Sequence, residues 1–364
     1  MQTINILLSG SMSKNEYAFI FPLGVNQEKL RSLGLRINFI SALSPKAFDC
    51  NILIVSSHFA RKNDWWSDSN KHFMFEFFED AKTRIDHLVW ADMGDSTGAT
   101  HFEVLRYVCK YLKGALLKDR KLYLNFHYGS RYFTDYYHRN YQIEDTDPGE
   151  PHLNFIPAEG ELQKVQLSWN QAFINYSYLG FYYDQLKRKI NFLPYAHITS
   201  FSSAENEKSS LLHCRISANY RRNTVAFQRK RIREKLRDRI PTNRINRRKF
   251  FAEMKHSRVV LSPFGWGEIC YRDFEAIVAG AVLLKPDVSH METWPDLYIE
   301  NKTCIFFDWD LKNLEETVSN LASKNGELVE IAQEAQRVYG YYLFDGNGEQ
   351  EFCERFCTLM SFEN

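Results

Sequence analysis

The stretch Ser262-Pro263-Phe264-Gly265-Trp266-Gly267-Glu268 runs on through Arg272 and Glu275 to Gly280, ahead of Ala281-Val282-Leu283-Leu284-Lys285-Pro286-Asp287. It reads as strand, glycine turn, helix, strand. Val259-Val260-Leu261 in front of it is short, apolar and β-branched, as a buried parallel strand requires. Gly265 and Gly267 are free to take positive φ, or to let a ligand or another backbone come close. Residues 268–279 carry Ile269, Phe274, Ile277 and Val278 at helical spacing, and Gly280 stands where a helix is capped. A glycine turn opening a helix aims backbone N–H groups and a positive dipole end at one point, a setting that suits phosphate.

Working upstream, Leu211 to Ile216 reads as the first strand of the same unit, and the polar run from Ser200 to Ser210 as the linker before it. Between Arg221 and Lys249 stand 13 Lys or Arg residues against only Glu234 and Asp238. This run reads as a solvated basic helix face, as a nucleic-acid patch, or as a site for phosphate and anionic lipid. The nucleic-acid reading is the weakest, because only Tyr220 and Phe227 stand among the charges to stack on bases.

The amino-terminal half repeats the strand signal at residues 4–9, 35–40, 51–56 and 87–90, with a helix predicted over 70–84. Alternation of this kind predicts an α/β parallel sheet whose ligands gather at the strands' carboxyl ends. Ser9-Gly10-Ser11, Ser56-Ser57-His58 and the Asp92-to-Gly98 turn are the candidates there. Asp92 and Asp95 read either as parts of a capped turn before a helix at about 100–113, or as a general base for an acceptor hydroxyl. Residues 118–145 read as a polar acceptor-site loop or as an ordered aromatic loop; His127, with Asp135 and His138, is a further base candidate. Asp287 and His290 read as ligand contacts or as a structural turn. Asp145 to Pro151 marks a break, and residues 326–361 predict two terminal helices.

With 364 residues, the chain supports two domains with full cores. A formal charge of +1 points to no strongly charged partner overall, and the seven scattered cysteines, without a Cys-x-x-Cys, read as reduced thiols of a cytoplasmic protein. No run of 18 apolar residues and no signal peptide is visible, so a soluble protein is expected. Ser9-Gly10-Ser11 lacks the Gly-x-Gly-x-x-Gly of dinucleotide oxidoreductases.

The pattern Pro263-Phe264-Gly265, Glu275-Ala276, Gly280 and the strand Ala281–Leu284 resembles the donor half of GT-B glycosyltransferases, closest to exostosin-like and bacterial surface-polysaccharide members, over roughly residues 210–310. The better-known GT-B pattern sets two glutamates eight positions apart; here Glu268 and Glu275 are seven apart. The resemblance implies two Rossmann-like domains facing each other across a cleft. On that reading residues 1–199 form the acceptor-side domain, 200–210 the linker, 211–345 the nucleotide-sugar domain and 346–364 a terminal helix. It implies transfer from a nucleotide sugar to a glycan or lipid-linked acceptor without cofactor or metal, in surface-polysaccharide synthesis, with peripheral contact at the inner membrane face and no nucleic-acid partner. Arg222, Arg229 and the turn at Pro263, Phe264, Gly265 and Gly267 would hold the diphosphate. Glu275 would take the ribose hydroxyls, with Glu268 and Arg272 beside it. Its plainer reading is an ordinary helix glutamate. The alternative for the whole chain is a non-catalytic nucleotide- or glycan-binding protein of the same fold.

Overall fold

The structure is a computed structural model, and it describes residues 1–10, 13–146, 153–190 and 192–362. Ser11 and positions 147–151 of the predicted break lie outside the described residues.

The amino-terminal unit holds β1 (Gln2–Leu7), α1 (Lys14–Val25), α2 (Gln27–Ser32), β2 (Leu35–Ile40), β3 (Ile52–Ser56), α3 (Ser57–Lys62), α4 (Lys71–Arg84), β4 (His87–Asp92), β5 (Lys110–Lys113), β6 (Ala115–Leu117), α5 (Tyr132–Tyr141), β7 (Val165–Leu167) and α6 (Tyr178–Lys189). Six of its strands form one parallel sheet in the order β2-β1-β3-β4-β5-β7. All five residues of β3 are buried, as a strand covered by helices on both faces must be.

The carboxyl-terminal unit comprises β8 (Ser210–His213), α7 (Asn223–Leu236), α8 (Arg247–Lys255), β9 (Ser257–Leu261), α9 (Tyr271–Val278), β10 (Val282–Pro286), β11 (Met291–Thr293), β12 (Cys304–Phe307), α10 (Leu314–Asn320), α11 (Asn325–Phe344) and α12 (Gly346–Leu359). Its sheet is parallel in the order β12-β10-β9-β8. Gly280, at φ +69°, closes α9: its N–H reaches Ile277 O while that of Ala281 reaches Ala276 O.

The loops that leave β4 and β9 at their carboxyl ends touch, so the two sheets face each other through the carboxyl ends of their strands. Two parallel α/β units so opposed make the expected GT-B arrangement. The units are also tied together. β6 pairs antiparallel with β11 across them, and α12 returns to the first unit, where Phe352 and Phe356 pack on Trp169 and Arg355 donates to Ser168 O. One buried apolar cluster runs through both, from Ile4 and Ile20 to Phe274 and Phe356.

Three expectations need correcting. The segment after Asp92 is not a helix over 100–113 but a short 3-10 turn at Phe102–Val104 followed by β5. Residues 118–145 are not a loop throughout, since they contain α5. The helix expected from residue 268 starts at Tyr271, because the Asp273 carboxylate accepts the Cys270 N–H and caps it there.

Candidate functional site

The turn between β9 and α9 is held by its carbonyl oxygens. Arg229 Nε donates to Phe264 O and its Nη2 to Pro263 O, while Arg272 Nη1 donates to Leu261 O. From the opposite unit, Arg131 Nε donates to Trp266 O at 2.7 Å. Gly265 N–H closes the turn on Gly267 O, and Phe264 N–H donates to Gln228. Of the two predicted diphosphate arginines, Arg229 therefore builds this turn, and Arg222 holds a different loop. Arg229 and Arg272 spend their planar forks on main-chain carbonyls. Arg222, 1% exposed, donates to Gly129 O and lies 3.9 Å from Asp145. Pro263 and Phe264 are buried.

Neither Gly265 nor Gly267 takes positive φ. What requires Gly267 is space: a Cβ there would stand 1.8 Å from Asp95 O. Its neighbour Glu268 is fully buried and reaches across the units, accepting Thr97 Oγ1–H at 2.7 Å, Thr97 N–H at 3.1 Å and Ser96 Oγ–H at 3.2 Å. His290 Nε2 lies 3.5 Å away, a contact that is an ion pair only when the ring is protonated. Burial pushes the Glu268 carboxyl up, but the nearby His290 ring and the hydrogen bonds from Thr97 outweigh it and hold the group at about 2. Glu268 is thus a clasp between units. Asp287 folds back on Ser289 as a structural turn.

The base candidates separate. Asp92 is buried against Lys113 at 3.0 Å, Tyr111 Oη at 2.6 Å and Gly94 N at 2.7 Å, an ion pair built into the sheet edge. Its carboxylate is committed to that pair, although Asp92 also lines the crevice that Asp95 faces. His127 is buried too, with Nε2 on Leu122 O and its ring against Tyr132. Asp135 and His138 hold the segment around α5 through Tyr128 N, Arg139 and Ile143 O. Asp95 is different. It is half-buried, accepts from Asn15, and lines a crevice between the units with Gln171 and Ile269.

Glu275 faces a second inter-unit pocket, lined by Lys14 and Tyr17 of α1, Phe181, Asp184 and Arg188 of α6, Arg247 of α8 and Tyr271 of α9. Arg247 Nη2 stands 3.2 Å from Glu275. Burial raises the Glu275 carboxyl, with Arg247 opposing. Burial likewise lifts Asp184, which accepts from Tyr17 Oη at 3.0 Å, to about 7. Burial, then Arg247 and Arg188, lower Lys14, whose ammonium lies 4.5 Å over the Phe181 ring. Three cations therefore converge beside aromatic walls, together with two carboxyls, Glu275 and Asp184, that burial raises. Among these, only Glu275 was singled out by sequence. Arg247 belongs to the basic run 221–249, while Lys14, Asp184 and Arg188 come from helices with no motif of their own. The pocket encloses only about 40 Å³, well under the roughly 300–1,000 Å³ of small-molecule sites. No described cluster of His, Cys, Asp and Glu could hold a metal ion, and no described helix is long and apolar enough to cross a membrane.

No protein-family model and no curated protein matches the chain. Among solved structures it is similar to HepE of Anabaena in complex with UDP-glucose, at 9% identity and TM-score 0.47 over 98% of this chain and 100% of that one. It is also similar to a glycosyltransferase from Rickettsia africae, at 10% identity and TM-score 0.45 over 100% and 99%. An alpha-glucosyltransferase in complex with UDP-glucose and DNA gives 11% identity and TM-score 0.40 over 99% of each chain. At TM-scores under 0.5 these likenesses are too distant to bear on function, and the fold rests on the strand order described above.

Proposed function

We propose that the chain is a glycosyltransferase that moves a sugar from a nucleotide-sugar donor to a glycan or lipid-linked acceptor of a surface polysaccharide, on the cytosolic side of a membrane and without a metal ion. The observation that carries the reading is the position of Glu275. The one acidic residue the family resemblance assigns to the ribose hydroxyls lines a pocket between two opposed parallel units, at the edge of a cationic cluster. A carboxylate accepts from two neighbouring hydroxyls at once, and Lys14, Arg188 and Arg247 would meet the diphosphate in place of Arg222 and Arg229. Asp95, across the cleft and only half-buried, is the acceptor-side base on this reading. A pocket this small admits a nucleotide only if the units part on this side, with the β6–β11 ribbon and α12 serving as the hinge.

Thermal melting against a panel of nucleotides and nucleotide sugars, with and without EDTA, tests the proposal. A ligand at a hundred times its dissociation constant stabilises by about 2.7 kcal/mol. Stabilisation by one nucleoside diphosphate family, indifferent to EDTA and accompanied by slow hydrolysis of the sugar, supports a metal-independent transferase. Stabilisation without any turnover favours the non-catalytic binder, and silence across the panel overturns both.

A further inference from the structure

Helix α6 is built inside out. Tyr178–Lys189 buries Gly180, Asp184 and Lys187 and leaves Leu179 (73% exposed), Tyr182 (48%) and Leu186 (46%) in solvent, with Phe192 at 87% just beyond its end. Steps of three and four residues put the first three on one stripe. The inward polar groups have occupations: Asp184 accepts the Tyr17 hydroxyl, and the Lys187 ammonium lies 4.5 Å over Tyr195. A helix that hides its acid and shows its leucines is the informative exception to ordinary burial.

Its surroundings select the partner. Helix α8 packs alongside, with the Arg247 guanidinium 3.6 Å over Phe181 and the Tyr178 ring 5.8 Å from Phe251. The α8 segment exposes Arg244, Arg248 and Lys249, and α6 exposes Lys189. Acids are nearly missing from both segments. Over 178–190 the acid is the buried Asp184, and over 244–255 it is Glu253, tied to Arg215 at 2.8 Å. An exposed apolar stripe beside cations without competing carboxylates complements an anionic lipid surface.

We propose that α6 and Phe192 dock this protein onto anionic bilayers. Leu179, Tyr182, Leu186 and Phe192 enter the boundary between headgroups and acyl chains, and Lys189, Arg244, Arg248 and Lys249 meet the lipid phosphates. The inner faces of α6 and α8 line the Glu275 pocket, so docking would bring that pocket to the lipid surface. The proposal deepens the membrane side of the glycosyl-transfer reading by naming the docking surface, and a test without nucleotide can fail while glycosyl transfer stands.

Co-sedimentation of the full chain with phosphatidylcholine vesicles, with and without phosphatidylglycerol, tests it in the absence of any nucleotide. The expected result is pelleting with the anionic vesicles, reversed by high salt. The variant Leu179→Ser/Leu186→Ser/Phe192→Ser should lower partitioning at least about tenfold without lowering the melting temperature, because the replaced side chains are exposed. Lys189→Glu/Arg248→Glu should remove the preference for anionic vesicles. Absence of binding by the unmodified chain overturns the proposal, as does undiminished binding by the serine variant. So does a dimer of the unmodified chain that the serine variant dissolves, since the stripe would then belong to a second copy.

Discussion

Gly267 of the carboxyl-terminal unit sits against the main chain of Asp95 in the amino-terminal unit so closely that a Cβ would lie 1.8 Å from the Asp95 carbonyl oxygen. The loops from two strand ends thus touch with no room for a side chain. Gly267→Ala is expected to destabilise the protein by about 1–3 kcal/mol, the usual cost of overpacking. Gly265→Ala, whose Cβ would meet nothing nearer than 3.3 Å, should cost far less. Denaturant melts of the two variants check the contrast, and equal midpoints would refute the contact.

The Glu268 clasp should show an acid signature. Its carboxyl is held at about 2, below its ordinary value of 4.5. Its contribution is therefore complete above pH ~4.5 and lost as pH falls towards about 2. Glu268→Gln should cost about 1–3 kcal/mol at neutral pH, with the deficit against the unmodified chain shrinking as pH falls from 5 to 3. A deficit independent of pH would argue against the ionised clasp.

Asp92 and Lys113 form a buried pair in which each is 1% exposed or less at the side chain. Asp92→Ala strands the ammonium and should cost about 3–5 kcal/mol, and Lys113→Met in the same background should recover part of it. A variant that kept its full stability and lost only turnover would make Asp92 a base instead.

Asp184 predicts the opposite pH trend from Glu268. Burial lifts it to about 7 from an ordinary 3.8, so the folded chain holds that proton more tightly than the unfolded one. Its contribution to stability is present at low pH and falls as pH rises from about 4 to about 7. Asp184→Asn keeps an acceptor for Tyr17 and removes the titration. Its melting temperature should gain on the unmodified chain across that window; parallel pH curves would place the Asp184 carboxyl in solvent instead.

Glu275→Gln keeps the shape of a buried side chain and weakens its acceptance of paired hydroxyls, and Lys14→Met removes one cation of the same pocket. Each is expected to raise the dissociation constant for the stabilising nucleotide about tenfold, or about 1.4 kcal/mol. Isothermal titration calorimetry reads this directly. Undiminished affinity in both folded variants would move the nucleotide out of this pocket.

The strands were legible because burial on both faces leaves a local mark. Ile52-Leu-Ile-Val and Val259-Val-Leu are apolar runs, and Gly280 takes the left-handed conformation its place after a helix demanded. Helix α1, with Pro22 inside it, carries no such mark, and β5 lies within the span 100–113 that reads as a helix after a turn rich in hydroxyls, Ser96 and Thr97 among them. Those hydroxyls serve Glu268 instead.

The sequence alone settled the α/β alternation, since strand and helix periodicity depends on neighbours a few residues away. It could not settle what each charge is for. Arg229 meets Phe264 across 35 positions, Arg222 meets Gly129 across 93, and Thr97 meets Glu268 across 171. An arginine bound for a phosphate and one bound for a buried carbonyl read the same in sequence. The tertiary structure decided between them, because desolvating a guanidinium requires partners that only the folded chain brings within reach.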